Sequence, residues 1–227
     1  MDVGVKFAFV CVGAGRAERF GADKLAEKIG PHTVFGTAIS GLRKAHPGAP
    51  VFAVVPGQRL DFWRRCLSLE FPEVRIVGGG ARRQDSVRLG VEAAAAGGAD
   101  VVAVHDAARP LVDPRDIGAV VCGLGDADGA ILSAQVSDTV KRLDEDGLVA
   151  QTLEREDLRL ALTPQVFRVA SLEVAWEQQS GDGFWTDESV LLERAGMRVR
   201  SVVAEFPNPK VTIPSDLRVI RALAGSA

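Results

Sequence analysis

The chain is poor in cysteine, and spacing pairs none of it. Of 227 residues only Cys11, Cys66 and Cys122 carry thiols. They are odd in number, far apart and outside any CxxC pair, which argues against a zinc knuckle or a disulfide framework. They read as small apolar side chains in a reducing, cytoplasmic setting. No apolar run is long enough to cross a bilayer: MDVGVKFAFVCVGAG ends in glycines, not in a cleavage site, and reads as a first strand. Basic excess is absent too. The 27 basic and 30 acidic residues leave a formal charge of −3, the wrong balance for a surface that coats nucleic acid, although a local basic pocket is still open. There is no internal repeat, low-complexity tract or obvious linker. The length suits one α/β domain, 1–227, that buries enough surface to need no staples.

What is present is a series of β-branched apolar runs: VKFAFVCV (5–12), VFAVV (51–55), VRIV (74–77), VVAV (101–104) and AILSA (130–134). They are nearly continuous, as expected of strands covered on both faces of a parallel sheet. Helical patterns lie between them. Val87, Gly90, Val91, Ala94 and Ala95 share one helix face, and Asp113-Pro114 reads as N-cap and first position for Ile117, Val120, Val121 and Leu124. The alternation predicts a Rossmann-like, doubly wound, mostly parallel sheet. It breaks at SDTVKRLDEDGLVAQTL (137–153), two short β-like runs around Asp146-Gly147. A hairpin with charges on both faces protrudes or packs on another chain; the second is preferred here, so a homo-oligomer is expected. LALTPQVF (160–167) returns to the core, and a helix around Leu172 to Trp176 follows. Thr186-Asp187 is expected to cap a helix ending at Gly196. Strands are expected near 198–204 and 210–213, followed by a helix from Pro214.

Four stretches carry candidate chemistry. FVCVGAGRAERFGADK (9–24) is a glycine turn straight after the first strand, where backbone N–H groups can approach phosphate. Glu18 spoils a dinucleotide fingerprint and no Gly-Lys-Ser/Thr follows, so it is neither that nor a P-loop. Arg16, Arg19 and Lys24 suit a loop closing over a triphosphate. In GGGARRQDSV (78–87), Asp85 or Ser86 reads as a helix N-cap or as a reader of a base edge, with Gly80 allowing close approach. VHDAARP (104–110) places Asp106 at a strand's C-terminal end, where α/β folds put ligands and where one carboxylate can share magnesium with substrate phosphates. There His105 reads as a packed core histidine in preference to a ligand or base, and Arg109 either binds phosphate or braces the loop. In NPKVTIPSDL (208–217), Lys210 is expected to begin a short strand near the sheet's end.

In this order, the glycine loop with Arg19 and Lys24, GGGARRQDSV, VHDAARP, SDTVK (137–141), LTPQVF (162–167), TDES (186–189) and NPKVT (208–212) resemble the cytidylyltransferases that act on 2-C-methyl-D-erythritol 4-phosphate in isoprenoid precursor synthesis. The resemblance runs through nearly the whole chain and implies a nucleotidyltransferase domain with a hairpin arm at about 137–155. It places Arg19 and Lys24 on the CTP phosphates, and Gly13, Ala14, Gly15, Gly80, Asp85 and Ser86 around the cytosine and ribose. It puts Asp106 on magnesium, facing the sugar phosphate, with Arg109 beside it. Thr139, Arg155, Thr163 and Lys210 then hold the methylerythritol phosphate, Thr139 and Arg155 through an arm that interlocks two subunits. Arg19, Lys24, Arg155 and Lys210 are its catalytic cations. The sequence departs from the family at Val12 and Ala17 of the glycine loop, at Leu25 after Lys24, at Ala81 and at Pro209. A polyol phosphate such as ribitol 5-phosphate is the alternative acceptor, and a CTP-binding protein without turnover the alternative class.

Overall fold

The computed structural model of the chain describes residues 4–14, 23–179 and 183–225. In chain order the elements are β1 (Phe7–Val12), a short ribbon β2 (Lys28–Ile29) and β3 (His32–Thr33), α1 (Val34–Ala45), β4 (Val51–Pro56), α2 (Leu60–Glu70), β5 (Arg75–Gly79), α3 (Arg83–Ala96), β6 (Val101–Asp106) and α4 (Pro114–Gly123). Then follow β7 (Gly129–Gln135), β8 (Val140–Leu143), β9 (Val149–Leu153), β10 (Arg159–Arg168), α5 (Val169–Gln178), α6 (Glu188–Arg194), β11 (Val199–Val203) and α7 (Pro214–Ala224).

Seven strands form one sheet in the order β11-β7-β10-β6-β1-β4-β5. Every neighbouring pair is parallel except the two made by β10, which runs antiparallel to both β6 and β7. The doubly wound, mostly parallel sheet read from the sequence is therefore the fold. Every residue of β1 and β6 is buried, because helices cover both faces and a solvent face never forms. Successive side chains of β1 go to opposite cores. Phe7, Phe9 and Cys11 pack with Ile39, Leu42, Trp63, Leu67, Ile117 and Ile220. Ala8, Val10 and Val12 pack with Val87, Val91, Leu172, Leu191 and Leu192. Gly90 lets α3 lie close on the sheet: a Cβ there would come within 2.5 Å of Val10 Cγ1.

The chain leaves β1 toward β4 on one side, while β6 adds on the other. The strand order thus reverses between β1 and β6, and the carboxyl ends of those strands open a crevice there. Register sets Val12 beside Asp106, so the glycine turn and the aspartate share one rim.

Asp113 and Asp187 cap α4 and α6 as expected, accepting from Arg115 N–H and Val190 N–H. The predicted strand at 210–213 does not form. Its Lys-Val-Thr-Ile composition is β-like, but the segment crosses the strand ends between Pro209 and Pro214. Its backbone bond to that rim is Val211 N–H to Ala108 O, at 2.8 Å. β8 and β9 pair with each other as a separate two-stranded sheet, closed by Gly147 at φ 81° and by Asp144, whose carboxylate accepts from Asp146 and Leu148 N–H. Leu143, Leu148 and Val149 on this arm are 56%, 66% and 61% exposed. Among the described residues no helix is long and apolar enough to cross a membrane.

Candidate active site

Asp106 ends β6 and is positioned from behind by a chain of hydrogen bonds. Its backbone N–H donates to Thr163 Oγ1 at 3.0 Å, and Thr163 Oγ1 lies 3.1 Å from His105 Nδ1. His105 Nε2 lies 3.0 Å from Arg109 O. A carbonyl only accepts, so Nε2 carries the ring hydrogen and Nδ1 accepts from the threonine hydroxyl. The ring is fully buried, and burial pushes its pKa down to about 4, against weaker help from the Arg109 carbonyl and Asp106. His105 is a neutral, buried brace with both ring nitrogens engaged.

Three cations converge on the Asp106 carboxylate. Lys210 Nζ donates to Oδ2 at 2.7 Å, Arg83 Nε donates to Oδ1 at 3.2 Å, and Arg109 Nε stands 4.0 Å from Oδ2. Burial alone would push the carboxyl up; the Arg83, Lys210 and Arg109 charges outweigh it and hold the group well below the usual carboxylate range. Arg109 also donates from Nη1 to Asn208 O at 2.7 Å, while Asn208 Nδ2 donates to the Thr163 carbonyl at 2.7 Å. Arg109 therefore braces the loop and faces the carboxylate at once. Arg83 reaches further, donating from Nη1 to both oxygens of Glu188 at 3.0 and 3.3 Å. Three cations against two carboxylates leave the cluster positive, which suits an anionic ligand at the crevice.

Gly13 and Ala14, the last residues described before the glycine loop continues, lie against the end of β5 and the start of α3. Gly13 N–H donates to Val54 O at 2.7 Å, and a Cβ on Gly79 would lie 2.4 Å from Ala14 Cβ and 2.9 Å from Ser86 Oγ. Gly80 N–H donates to Ser86 Oγ at 3.1 Å, and that hydroxyl donates to Arg82 O at 3.0 Å. Neither Asp85 nor Ser86 is the N-cap; Arg82 occupies that place. Asp85, in the third helical position, accepts from Arg82 N–H at 3.1 Å and pairs with its guanidinium, so it closes the helix end from within. Lys24 Nζ donates to Val211 O at 2.7 Å, which brings the glycine-loop lysine onto the segment that carries Lys210. Gly15 and Arg19 lie outside the described residues.

The structure thus joins Asp106, Arg109, Thr163 and Lys210 in one bonded cluster, links Lys24 to its edge, and sets Gly13, Ala14, Gly80, Asp85 and Ser86 around the adjoining turn. It does not bond Thr139 or Arg155 to that cluster among the described residues. Arg155 donates to Ser137 O and lines a cavity of about 410 Å³ at the base of the arm, with Gln135, Glu156 and Arg159. Sequence reasoning passed over Arg83, Glu188 and Asn208 as site residues. All three sit inside motifs it quoted, GGGARRQDSV, TDES and NPKVT, and that placement was the available signal.

Among the described residues no three or more His, Cys, Asp or Glu gather as a metal cage. Asp106 at the crevice is a hard carboxylate of the kind magnesium shares with water and phosphate oxygens, and the ion would share its oxygens with Arg83 and Lys210, which already bond them.

A positive crevice at the switch point of a mostly parallel sheet is where α/β folds of this kind bind their ligands, and its charge suits an anionic, phosphate-bearing one. The family model for 2-C-methyl-D-erythritol 4-phosphate cytidylyltransferase (IspD) matches residues 7–225. The chain is 39% identical over 213 residues to the 2-C-methyl-D-erythritol 4-phosphate cytidylyltransferase of Rhodococcus jostii, covering 92% of this chain and 91% of that one. It is 35% identical over 217 residues to the protein of the same name from Geobacter metallireducens, at 92% and 93% coverage. The fold agrees with the crystal structure of 4-diphosphocytidyl-2C-methyl-D-erythritol synthase from Anaerococcus prevotii, with a TM-score of 0.86 at 22% identity over 98% of this chain and 100% of that one. The chain belongs to the 2-C-methyl-D-erythritol 4-phosphate cytidylyltransferase family.

Proposed function

We propose that the chain joins CTP to 2-C-methyl-D-erythritol 4-phosphate, giving 4-diphosphocytidyl-2-C-methyl-D-erythritol and pyrophosphate in isoprenoid precursor synthesis. The observation that carries the reading is the Asp106–Lys210 pair at the β1/β6 crevice of a chain in this family. The acceptor's phosphate oxygen attacks the α-phosphorus of CTP in line; one O–P bond forms, and the bond to the β-phosphate bridging oxygen breaks. A phosphate monoester is already anionic near neutral pH, so no protein base is required, and the work is bringing two anions together. Lys210 and Arg109 face the acceptor phosphate, Asp106 orients Lys210, and Lys24 with Arg19 serves the CTP phosphates. Magnesium, when bound on Asp106, neutralises phosphate charge. The glycine turn and the Gly80–Ser86 corner take the nucleoside.

We take the working unit to be a homodimer formed through the arm. Its exposed Leu143, Leu148 and Val149 need covering, and Arg155 and Thr139 would then serve the neighbour's acceptor site. Both substrates are water-soluble anions and the three cysteines are unpaired, so the reading places the reaction in the cytoplasm. Mass spectrometry of a reaction with CTP, magnesium and the acceptor tests it. A cytidine diphosphate ester of methylerythritol is expected. Turnover with ribitol 5-phosphate alone, or bound CTP that never reacts, would overturn it.

A further inference from the structure

Glu188 opens α6 with its side chain only 1% exposed, so it cannot touch a ligand in the crevice. A buried carboxylate is costly, several kcal/mol or more without a matched partner. Acids are common in a helix's first turn, but one this deeply buried needs a cation of its own. Among the described residues its side chain bonds Arg83: one Nη1 nitrogen lies 3.0 and 3.3 Å from the two carboxylate oxygens. Arg83 is the first residue of α3. Its Nε reaches the other way, to Asp106 Oδ1 at 3.2 Å. One planar guanidinium is thus held at both ends, which fixes its orientation in a way a flexible ammonium cannot copy.

The consequence lies at Asp106. Its two oxygens have different cations from different parts of the chain: Oδ1 meets Arg83 from α3, and Oδ2 meets Lys210, 104 residues further along. With Oδ1 tied inward, Oδ2 is the oxygen directed at Lys210, whose side chain is 41% exposed toward solvent. We propose that Arg83 and Glu188 are positioning residues for the transfer, Glu188 orienting Arg83 and Arg83 orienting Asp106, so that Asp106 Oδ2 holds the Lys210 ammonium toward the acceptor phosphate. This rests on the transferase reading above, and it gives the buried acid of the TDES stretch a task at the end of β6, reached through Arg83 of α3.

The test is a cycle of Arg83→Lys, Glu188→Gln and the double variant, followed by kinetics with CTP and acceptor, by calorimetric CTP binding and by melting. Arg83→Lys keeps the charge but loses the Nε donor and the fork. It is expected to lower kcat about 10- to 100-fold, as small misplacements do, while CTP affinity stays within about twofold. Glu188→Gln should give a loss of similar kind, and the double variant should be no worse than Arg83→Lys alone, because Glu188 acts through Arg83. Losses that multiply in the double variant, or Arg83→Lys with kcat within about twofold of wild type, would overturn the assignment. If Glu188→Gln does not fold, Arg83→Lys decides by itself, since that side chain is 26% exposed and its kcat is read against an unchanged melting point. Wild-type protein that makes no product would sink the transferase reading instead, so the two failures are distinct.

Discussion

Lys210 Nζ stands 2.7 Å from Asp106 Oδ2, joining the end of β6 to a segment 104 residues later in the chain. The lysine is 41% exposed and the aspartate 11%, so the pair has one side in the crevice and one in the core. Replacing Lys210 by Gln removes the charge that the proposed reaction sets against the acceptor phosphate, without emptying any core. The expected result is a fall in kcat/KM of about 10²- to 10³-fold, the scale for losing one transition-state contact. The melting temperature should stay close to wild type, and steady-state pyrophosphate release with a parallel melt checks both.

Thr163 gives a stability prediction. Its hydroxyl takes the Asp106 N–H and faces His105 Nδ1. Thr163→Val keeps the volume and strands both groups in a buried site, at a cost of about 2 kcal/mol. Urea unfolding at pH 7 measures it, and an unchanged midpoint would show that the hydroxyl bridge contributes nothing.

His105 sets a pH dependence with a definite sign. Its folded pKa is about 4 against 6.5 for the ordinary group. The unfolded chain therefore binds the proton more readily between those values. The stability it contributes is present above pH 6.5 and is lost as pH falls toward 4, by about 3 kcal/mol in all. Unfolding free energies at pH 7.5 and 4.5 for wild type and His105→Gln should differ in slope, with wild type the steeper. Equal slopes would count against a neutral buried imidazole.

Gly79 tests the nucleotide corner. A Cβ there meets Ala14 Cβ at 2.4 Å and Ser86 Oγ at 2.9 Å, besides Val55 O at 3.2 Å. Gly79→Ala must push the glycine turn away from α3, with overpacking of about 1–3 kcal/mol. Weaker CTP binding, by calorimetry, is expected to exceed any change in acceptor KM.

The arm predicts an exchange between subunits. Arg155→Ala and Lys210→Ala should each be inactive alone, yet mixed dimers should regain one intact site, roughly a quarter of wild-type activity in a random mixture. No recovery on co-expression, or a monomer by sedimentation, would remove the shared-site arrangement.

Much of this was legible in the sequence for plain reasons. Continuous runs such as VVAV mark strands covered on both faces, and Asp113-Pro114 and Asp187 announce helix starts by their caps. What periodicity cannot carry is pairing. Nothing local in LALTPQVF says that β10 slots antiparallel between β6 and β7, and that insertion is what brings Thr163 to Asp106. The strand expected at 210–213 failed because β propensity describes composition, while ladder partners are a tertiary matter. Asp85 and Ser86 drew attention as caps, yet the helix starts earlier, at Arg83. The Arg83–Glu188 contact spans 105 residues, a distance at which a sequence shows charges but not partners.

The most direct measurement of the account is pyrophosphate release with CTP and magnesium, with and without 2-C-methyl-D-erythritol 4-phosphate, in wild type and in Asp106→Asn. Release that needs both substrates, and that drops by about two orders of magnitude or more in the variant, is the predicted result. Release that ignores the acceptor, or that survives loss of the Asp106 charge, would contradict the claim that this carboxylate sets Lys210 on the acceptor phosphate.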